Sequence, residues 1–216
     1  MSGDLFGDSE PARWAESLGP GAIVLRGFAL AEAAAINAAI ERVVAAAPFR
    51  HMQTPGGFRM SVAMCNCGPY GWVTDEAGYR YSTTDPESGQ PWPPLPELFA
   101  RLATEAAAEA GFADFVPDAC LINRYEPGAR MSLHQDRDER DLDQPIVSVS
   151  LGLPAVFLFG GLKRSDTAQR VPLTHGDVVV WGGPDRLRYH GVLAVKPGEH
   201  PLTGACRLNL TFRKAT

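Results

Sequence analysis

Residues 206–213, CRLNLTFR, alternate without a break. Arg207, Asn209, Thr211 and Arg213 fall on one face of an extended chain, and Cys206, Leu208, Leu210 and Phe212 fall on the other. A period of two fits a strand and no helix. The bland reading is an edge strand with its arginines in water. Residues 119–125 repeat the pattern, however: Leu121, Asn123 and Tyr125 share one face while Ile122 packs on the other. Two such strands would line one polar slot inside a barrel. An inward arginine is costly unless paired, so a buried acid is implied.

The chain around these segments has the same texture. After Gly111 it reads as strands at 118–125, 131–136, 145–151, 155–159, 170–174, 177–181, 187–194 and 206–213. Pro127-Gly128, Gly160-Gly161, His175-Gly176-Asp177 and Gly182-Gly183 mark turns between them. Short strands of this kind predict a double-sheet jelly roll. The first half differs. Residues 22–28 read as a strand. Residues 30–47 read as a helix, with Ile36, Ile40, Val43 and Val44 at helical spacing and Pro48 as its stop. Residues 96–110 form a second helix between a proline and Gly111. Residues 52–93, rich in Gly, Pro and aromatics, read as short hairpins or loops. The expected fold is α+β, mainly β with helices: an N-terminal extension over 1–115 and a jelly-roll core over 116–216, one structural unit within 216 residues.

Net charge is −5, so no global basic signature of a nucleic-acid binder exists, and such binding would need a local strip such as Arg130, Arg137, Lys163 and Arg164. The start, MSGDLFGDSEPARW, is acidic and polar, and no run is long enough to span a bilayer. A cytoplasmic protein with no membrane association is expected, with Cys65, Cys67, Cys120 and Cys206 reduced. Cys65-Asn66-Cys67 lacks the two-residue spacer usual for zinc.

His134-Gln135-Asp136 is answered by a distant His190. In a strand, His134 and Asp136 point the same way. Two imidazoles and one carboxylate can hold one face of an octahedral metal and leave three positions open, the facial triad of non-heme Fe(II) oxygenases. Raw affinity favours zinc over Fe(II), so a catalytic zinc site with two His and one carboxylate is a real alternative for these three residues.

Longer segments decide further. TPGGFRMSVAMCNCG (54–68), GYRYS (78–82), PDACLINRYEPGARMSLHQDRDE (117–139), PIVSVSLGLPAVFLFGGLKR (145–164), HGDVVVWGG (175–183), YHGV (189–192) and CRLNLTFR (206–213) together resemble the AlkB family of Fe(II)/2-oxoglutarate dioxygenases, its bacterial members above all. Residues 1–20 and 165–171 match poorly and carry no claim. The resemblance implies a double-stranded β-helix core with a nucleotide-recognition lid at about 50–93. It implies Fe(II) on His134, Asp136 and His190, which are then the catalytic centre. It implies 2-oxoglutarate held by Asn123, Arg124, Tyr125, Arg207, Leu208, Asn209, Thr211 and Arg213, with Arg213 at the distal carboxylate and Arg207 near the end that chelates iron.

The implied reaction consumes O2 and 2-oxoglutarate, yields succinate and CO2, and hydroxylates the N-methyl carbon of a damaged base, which then leaves as formaldehyde. The implied substrates are 1-methyladenine and 3-methylcytosine in single-stranded DNA, with RNA also accepted, and the protein acts as a monomer. Trp72 would stack on the base opposite His134, and Asp138 would accept its exocyclic amine. Thr54, Met64, Tyr79, Arg80, Tyr81, Arg130, Gln135 and Arg164 map to the lid and strand-contact surface. Arg130 stands where the bacterial relative it resembles carries Lys, which keeps charge but alters hydrogen-bond geometry. Other readings stay open: a dioxygenase of the same scaffold acting on protein or a small molecule, or a non-catalytic metal-binding jelly roll.

Overall fold

The alternating segments become the centre of a large sheet. In a computed structural model that describes residues 13–216, thirteen strands and two α-helices follow in order. They are β1 (Trp14–Gly19), β2 (Ala22–Arg26), α1 (Ala33–Ala46), β3 (Ala63–Cys67), β4 (Gly71–Asp75), β5 (Gly78–Ser82), α2 (Glu97–Glu109), β6 (Ala119–Tyr125), β7 (Met131–His134), β8 (Ile146–Gly152), β9 (Ala155–Phe159), β10 (Gln169–Leu173), β11 (Val178–Trp181), β12 (His190–Val192) and β13 (Arg207–Arg213). Most of the acidic N-terminal stretch lies outside the described residues. No helix among the described residues is long and apolar enough to cross a membrane.

A seven-stranded sheet runs β1-β2-β11-β8-β13-β6-β3, and a four-stranded sheet runs β10-β9-β12-β7. β13 lies between β8 and β6, antiparallel to both; Asn209 sits opposite Asn123 and Arg207 opposite Tyr125. The two faces of the large sheet bury different things. Leu208, Leu210 and Phe212 pack with Ile36, Ile40 and Val43 of α1 and Phe99 and Leu102 of α2. The other face meets the small sheet, where Leu121, Tyr125, Phe157, Phe159 and Trp181 share one apolar cluster. Both helices therefore cover one side, and the polar face of β13 looks into the space between the sheets. That is the jelly-roll arrangement with helices on its outer face.

Three details depart from the sequence reading. β1 was not anticipated. It is a sheet-edge strand whose Trp14 is 57% exposed, and it carries no alternation. β3 falls inside the stretch read as lid, yet every residue of it is buried and it pairs with β6. A strand covered on both faces shows no period-two signal. The strand expected over 131–136 ends at His134, so Asp136 is outside the ladder.

What remains of the stretch read as lid is the β4–β5 hairpin, which forms a two-stranded sheet of its own. Its root is pinned. The Asn66 side chain donates to the Trp72 carbonyl at 2.9 Å and accepts from the Trp72 amide at 3.0 Å. Trp92 Nε1 donates to Ser82 O at 2.9 Å. Gly71 has to be glycine for the same reason: a Cβ there would run into the Trp92 ring.

Candidate active site

β7 delivers His134 to the edge of the small sheet, directly opposite His190 of β12. The two imidazole centroids are 4.4 Å apart. Each ring donates Nδ1–H to a backbone carbonyl two residues back: His134 to Ser132 at 2.8 Å and His190 to Arg188 at 3.0 Å. A carbonyl only accepts, so these bonds put a proton on each Nδ1 and aim both Nε2 atoms at the cluster. Those Nε2 atoms converge on Asp136, at 3.5 Å from Oδ1 for His134 and 3.8 Å from Oδ2 for His190. Donor atoms of all three residues lie within 4.8 Å of one another.

The electrostatics suit a cation. Burial works against the Asp136 carboxylate, but the Arg213 guanidinium and the neighbouring imidazoles hold its pKa well below the usual range. Burial and the nearby His134 push His190 down to about 3, so it is neutral at physiological pH and free to ligate. Burial also opposes charge on His134, yet the hydrogen bond to Asp136 wins and its pKa is raised; its side chain is 39% exposed, the outermost of the three. Two nitrogen donors and one oxygen donor with no sulfur fit Fe(II), and they fit zinc as well.

Arg207 discriminates. It is 2% exposed on the inner face of β13. Its Nη2 donates to Ser150 Oγ at 2.9 Å, and its plane lies 5.1 Å from the Tyr125 ring centroid. Its Nε and Nη1 have no partner, and neither does Asn123 Oδ1. Burial lowers its pKa accordingly. A buried guanidinium with two free N–H groups matches an acid arriving from outside, which a lone zinc hydrolase would not need.

Arg213 is placed differently. Its Nη2 and Nε reach Asp136 Oδ2 at 2.6 and 2.9 Å. The two arginines are therefore exchanged relative to the expectation: Arg213 stands at the metal end and Arg207 far from it. Alternation put both on one face but could not say which end of β13 abuts Asp136.

Asn123, Tyr125, Asn209 and Thr211 line the same inner face. Asn209 Nδ2 bonds Ser148 Oγ at 2.8 Å, and Thr211 Oγ1 bonds Asn209 Oδ1 at 3.1 Å. Leu208 and Arg124 do not. Leu208 packs in the helix-side core. Arg124 lies over Phe49 and pairs with Glu126 at 3.2 Å. Both occupy even positions of their strands, so the pleat turns them away from the slot.

On the lid side, Trp72 stacks on Tyr79 with centroids 5.7 Å apart, and its indole N–H donates to Asp138 Oδ2 at 2.9 Å. Arg80 is paired with Asp75 at 2.7 Å. Thr54 Oγ1 accepts from the Phe58 amide at 3.2 Å, and Gln135 Nε2 donates to Leu187 O at 2.5 Å. Arg130 and Arg164 are exposed. Two residues differ from expectation. Met64 is fully buried on the inner face of β3 rather than on the strand-contact surface. Tyr81 turns its hydroxyl inward to Glu139.

Sequence reasoning missed Glu139, Arg186, Ser148 and Ser150. Glu139 sits in Arg137-Asp138-Glu139-Arg140, which reads as a solvated charge run. Its buried partner Arg186 is remote in the chain, so no local signal could pair them. The two serines share one face of β8 with no feature to mark them.

Residues 21–213 match the model of the 2OG-Fe(II) oxygenase superfamily. The chain is 59% identical over 98% of its length, and 97% of the relative's, to the alpha-ketoglutarate-dependent dioxygenase AlkB of Escherichia coli. It is 45% identical to the AlkB homolog of Caulobacter vibrioides over 86% of this chain and 84% of that one. The solved structure of OsALKBH1 superposes with a TM-score of 0.80 at 30% identity, covering 93% of this chain and 99% of that one.

Proposed function

The chain belongs to the AlkB family within the 2OG-Fe(II) oxygenase superfamily, and from that premise we propose that it is an oxidative demethylase of N-alkylated bases in nucleic acid. It is a dioxygenase that uses Fe(II), 2-oxoglutarate and O2. The observation that carries the reading is the juxtaposition inside one barrel of the His134–Asp136–His190 cluster and the unpaired buried guanidinium of Arg207.

When bound, iron and the co-substrate supply the oxidising chemistry: 2-oxoglutarate becomes succinate and CO2, one atom of O2 ends on the methyl carbon, and the N–CH2OH product loses formaldehyde. The protein's own residues do the rest. His134, Asp136 and His190 would hold the metal, His190 without first losing a proton. Arg207 would take the distal carboxylate with N–H groups that have no partner in the protein, while Arg213 steadies Asp136 and the near end of the acid. Asn123, Tyr125 and Asn209 fill the slot between. Phe157 and Trp181, packed on His190, keep water from its inner side.

The finer reading concerns the substrate. Methylation at the pairing edge makes 1-methyladenine and 3-methylcytosine cationic and unable to pair, so extruding them is cheap. A cationic base favours the Trp72 face with the Asp138 carboxylate beside it. Arg80, Arg130 and Arg164 are exposed or half-exposed and would suit a single strand of DNA or RNA. We place the protein in the cytoplasm as a monomer, where its four free cysteines stay reduced. The test is release of succinate and formaldehyde from a 3-methylcytosine oligonucleotide with Fe(II) and 2-oxoglutarate. No turnover by fully iron-loaded protein overturns the substrate.

A further inference from the structure

The segment after His134 has no ladder hydrogen bonds, yet it carries Asp136. Two buried side chains hold it. Arg186 is 3% exposed; its Nη1 donates to the Asp136 carbonyl at 2.6 Å, its Nε to Gln144 O at 2.8 Å and its Nη2 to Glu139 Oε2 at 3.0 Å. Glu139, whose side chain is 2% exposed, lies 3.4 Å from Arg213 Nε through its other oxygen, Oε1. That same Oε1 accepts the Tyr81 hydroxyl at 2.6 Å. Tyr81 belongs to β5, the second strand of the recognition hairpin.

One carboxylate thus joins three things. It compensates a buried guanidinium that grips the Asp136 backbone. It faces the guanidinium that grips the Asp136 carboxylate. It receives the hydroxyl of the hairpin. Asp136 and Glu139 carry two negative charges against two positive charges on Arg186 and Arg213, so this buried quartet balances by itself. The remaining hairpin link, Trp72 to Asp138, is solvent-exposed, and exposed polar links of that kind contribute little. The Tyr81–Glu139 bond, part-buried and ending on a buried carboxylate, is the one able to transmit a change in hairpin position.

We propose that Glu139 is a positioning residue that couples the recognition hairpin to the metal and co-substrate site, so that hairpin closure and 2-oxoglutarate binding assist each other. An acid at the near end of the slot fixes the Arg213 guanidinium. Arg213 then fixes Glu139, and Glu139 fixes Tyr81. By reciprocity, a strand that closes the hairpin tightens the co-substrate by the same factor. The oligonucleotide arm of this idea rests on the demethylase reading above; the hairpin arm does not.

Tyr81→Phe removes one hydroxyl and keeps the ring. In Fe(II)-loaded protein without oxygen, 2-oxoglutarate should slow amide hydrogen exchange at residues 71–82 in the wild type. In Tyr81→Phe the slowing should shrink by about fivefold or more, the lower end of ordinary coupling between sites. Equal slowing in both proteins, or none in the wild type, overturns the proposal. In the second arm, a 3-methylcytosine oligonucleotide should lower the Kd for 2-oxoglutarate in the wild type, and the ratio should fall toward one in Tyr81→Phe. A protein that ignores the oligonucleotide but passes the exchange arm sinks the substrate assignment and leaves the coupling standing. Glu139→Gln is the stronger variant, and its folding must be checked by melting because it leaves two buried guanidiniums sharing one carboxylate. If folded, it should lose the exchange response and weaken Fe(II) by about ten- to hundredfold, as loss of a supporting group does. A folded Glu139→Gln that keeps both also overturns the proposal.

Discussion

β13 and the β4–β5 hairpin face the same reaction from two sides, and they are held in opposite ways. β13 is paired along its length, with β6 over all of it and β8 over nearly all, and every residue in it is buried. The hairpin pairs only with itself. Its tip is closed by an exposed Arg80–Asp75 pair at 2.7 Å, and it meets the rest of the site through single side-chain bonds. Groups that must hold a metal and an acid within a fraction of an ångström gain from a rigid ladder. In the function proposed above, the groups that admit and release a strand come from the part that opens at low cost.

Asp136→Ala probes the rigid side hardest. It should abolish turnover and weaken metal binding by more than about 100-fold, beyond what loss of a mere supporting group costs; calorimetry with Fe(II) or Co(II) reads it. It also strips Arg213 of its nearest acid, a loss of about 3–5 kcal/mol for a broken buried pair, so Asp136→Asn is the companion. Arg207→Lys comes next. Losing a two-pronged grip should raise the Kd for 2-oxoglutarate by about ten- to hundredfold with far less effect on metal. Arg213→Lys should weaken both together, because that arginine also orients Asp136. The reverse pattern would restore the original assignment of the two arginines.

On the loose side the effects are smaller and selective. Trp72→Ala should cost about 1–3 kcal/mol of binding to methylated single strands, seen by fluorescence anisotropy, with little change in 2-oxoglutarate affinity. Equal damage to both ligands would blur the division between the two regions. Arg130→Ala and Arg164→Ala should each cost only a few-fold. Each should reduce the salt slope of binding by about 0.7 if it meets one phosphate; an unchanged slope removes that residue from the interface.

What the sequence disclosed follows the same division. β6, β8, β13 and their neighbours were legible because one face of each meets a different environment from the other, or because Gly and Pro mark their ends. The clamp residues were legible for that reason, since Asn209 and Arg207 alternate with Leu208 and Leu210. β3 was hidden, being buried on both faces, with the polar Asn66 satisfied inside. The order of Arg207 and Arg213 along the slot was hidden too, because it depends on how the segment after β7 folds back. So was the pairing of Glu139 with Arg186, which needs the tertiary structure to bring a charge run inside. The motif around His134 named the ligands, but the expected strand geometry was not what positions Asp136.

The pinned root of the hairpin has one more consequence. Asn66 brackets the backbone of Trp72 at one end, and Trp92 holds the carbonyl of Ser82 at the other. Neither anchor belongs to the hairpin itself. The stretch between them is therefore a cassette: its sequence and length can be rewritten without cutting a ladder bond of either main sheet. A lineage, or a protein engineer, can change what this barrel oxidises by exchanging about a dozen residues between two fixed sockets, provided the Tyr81 hydroxyl on Glu139 is kept.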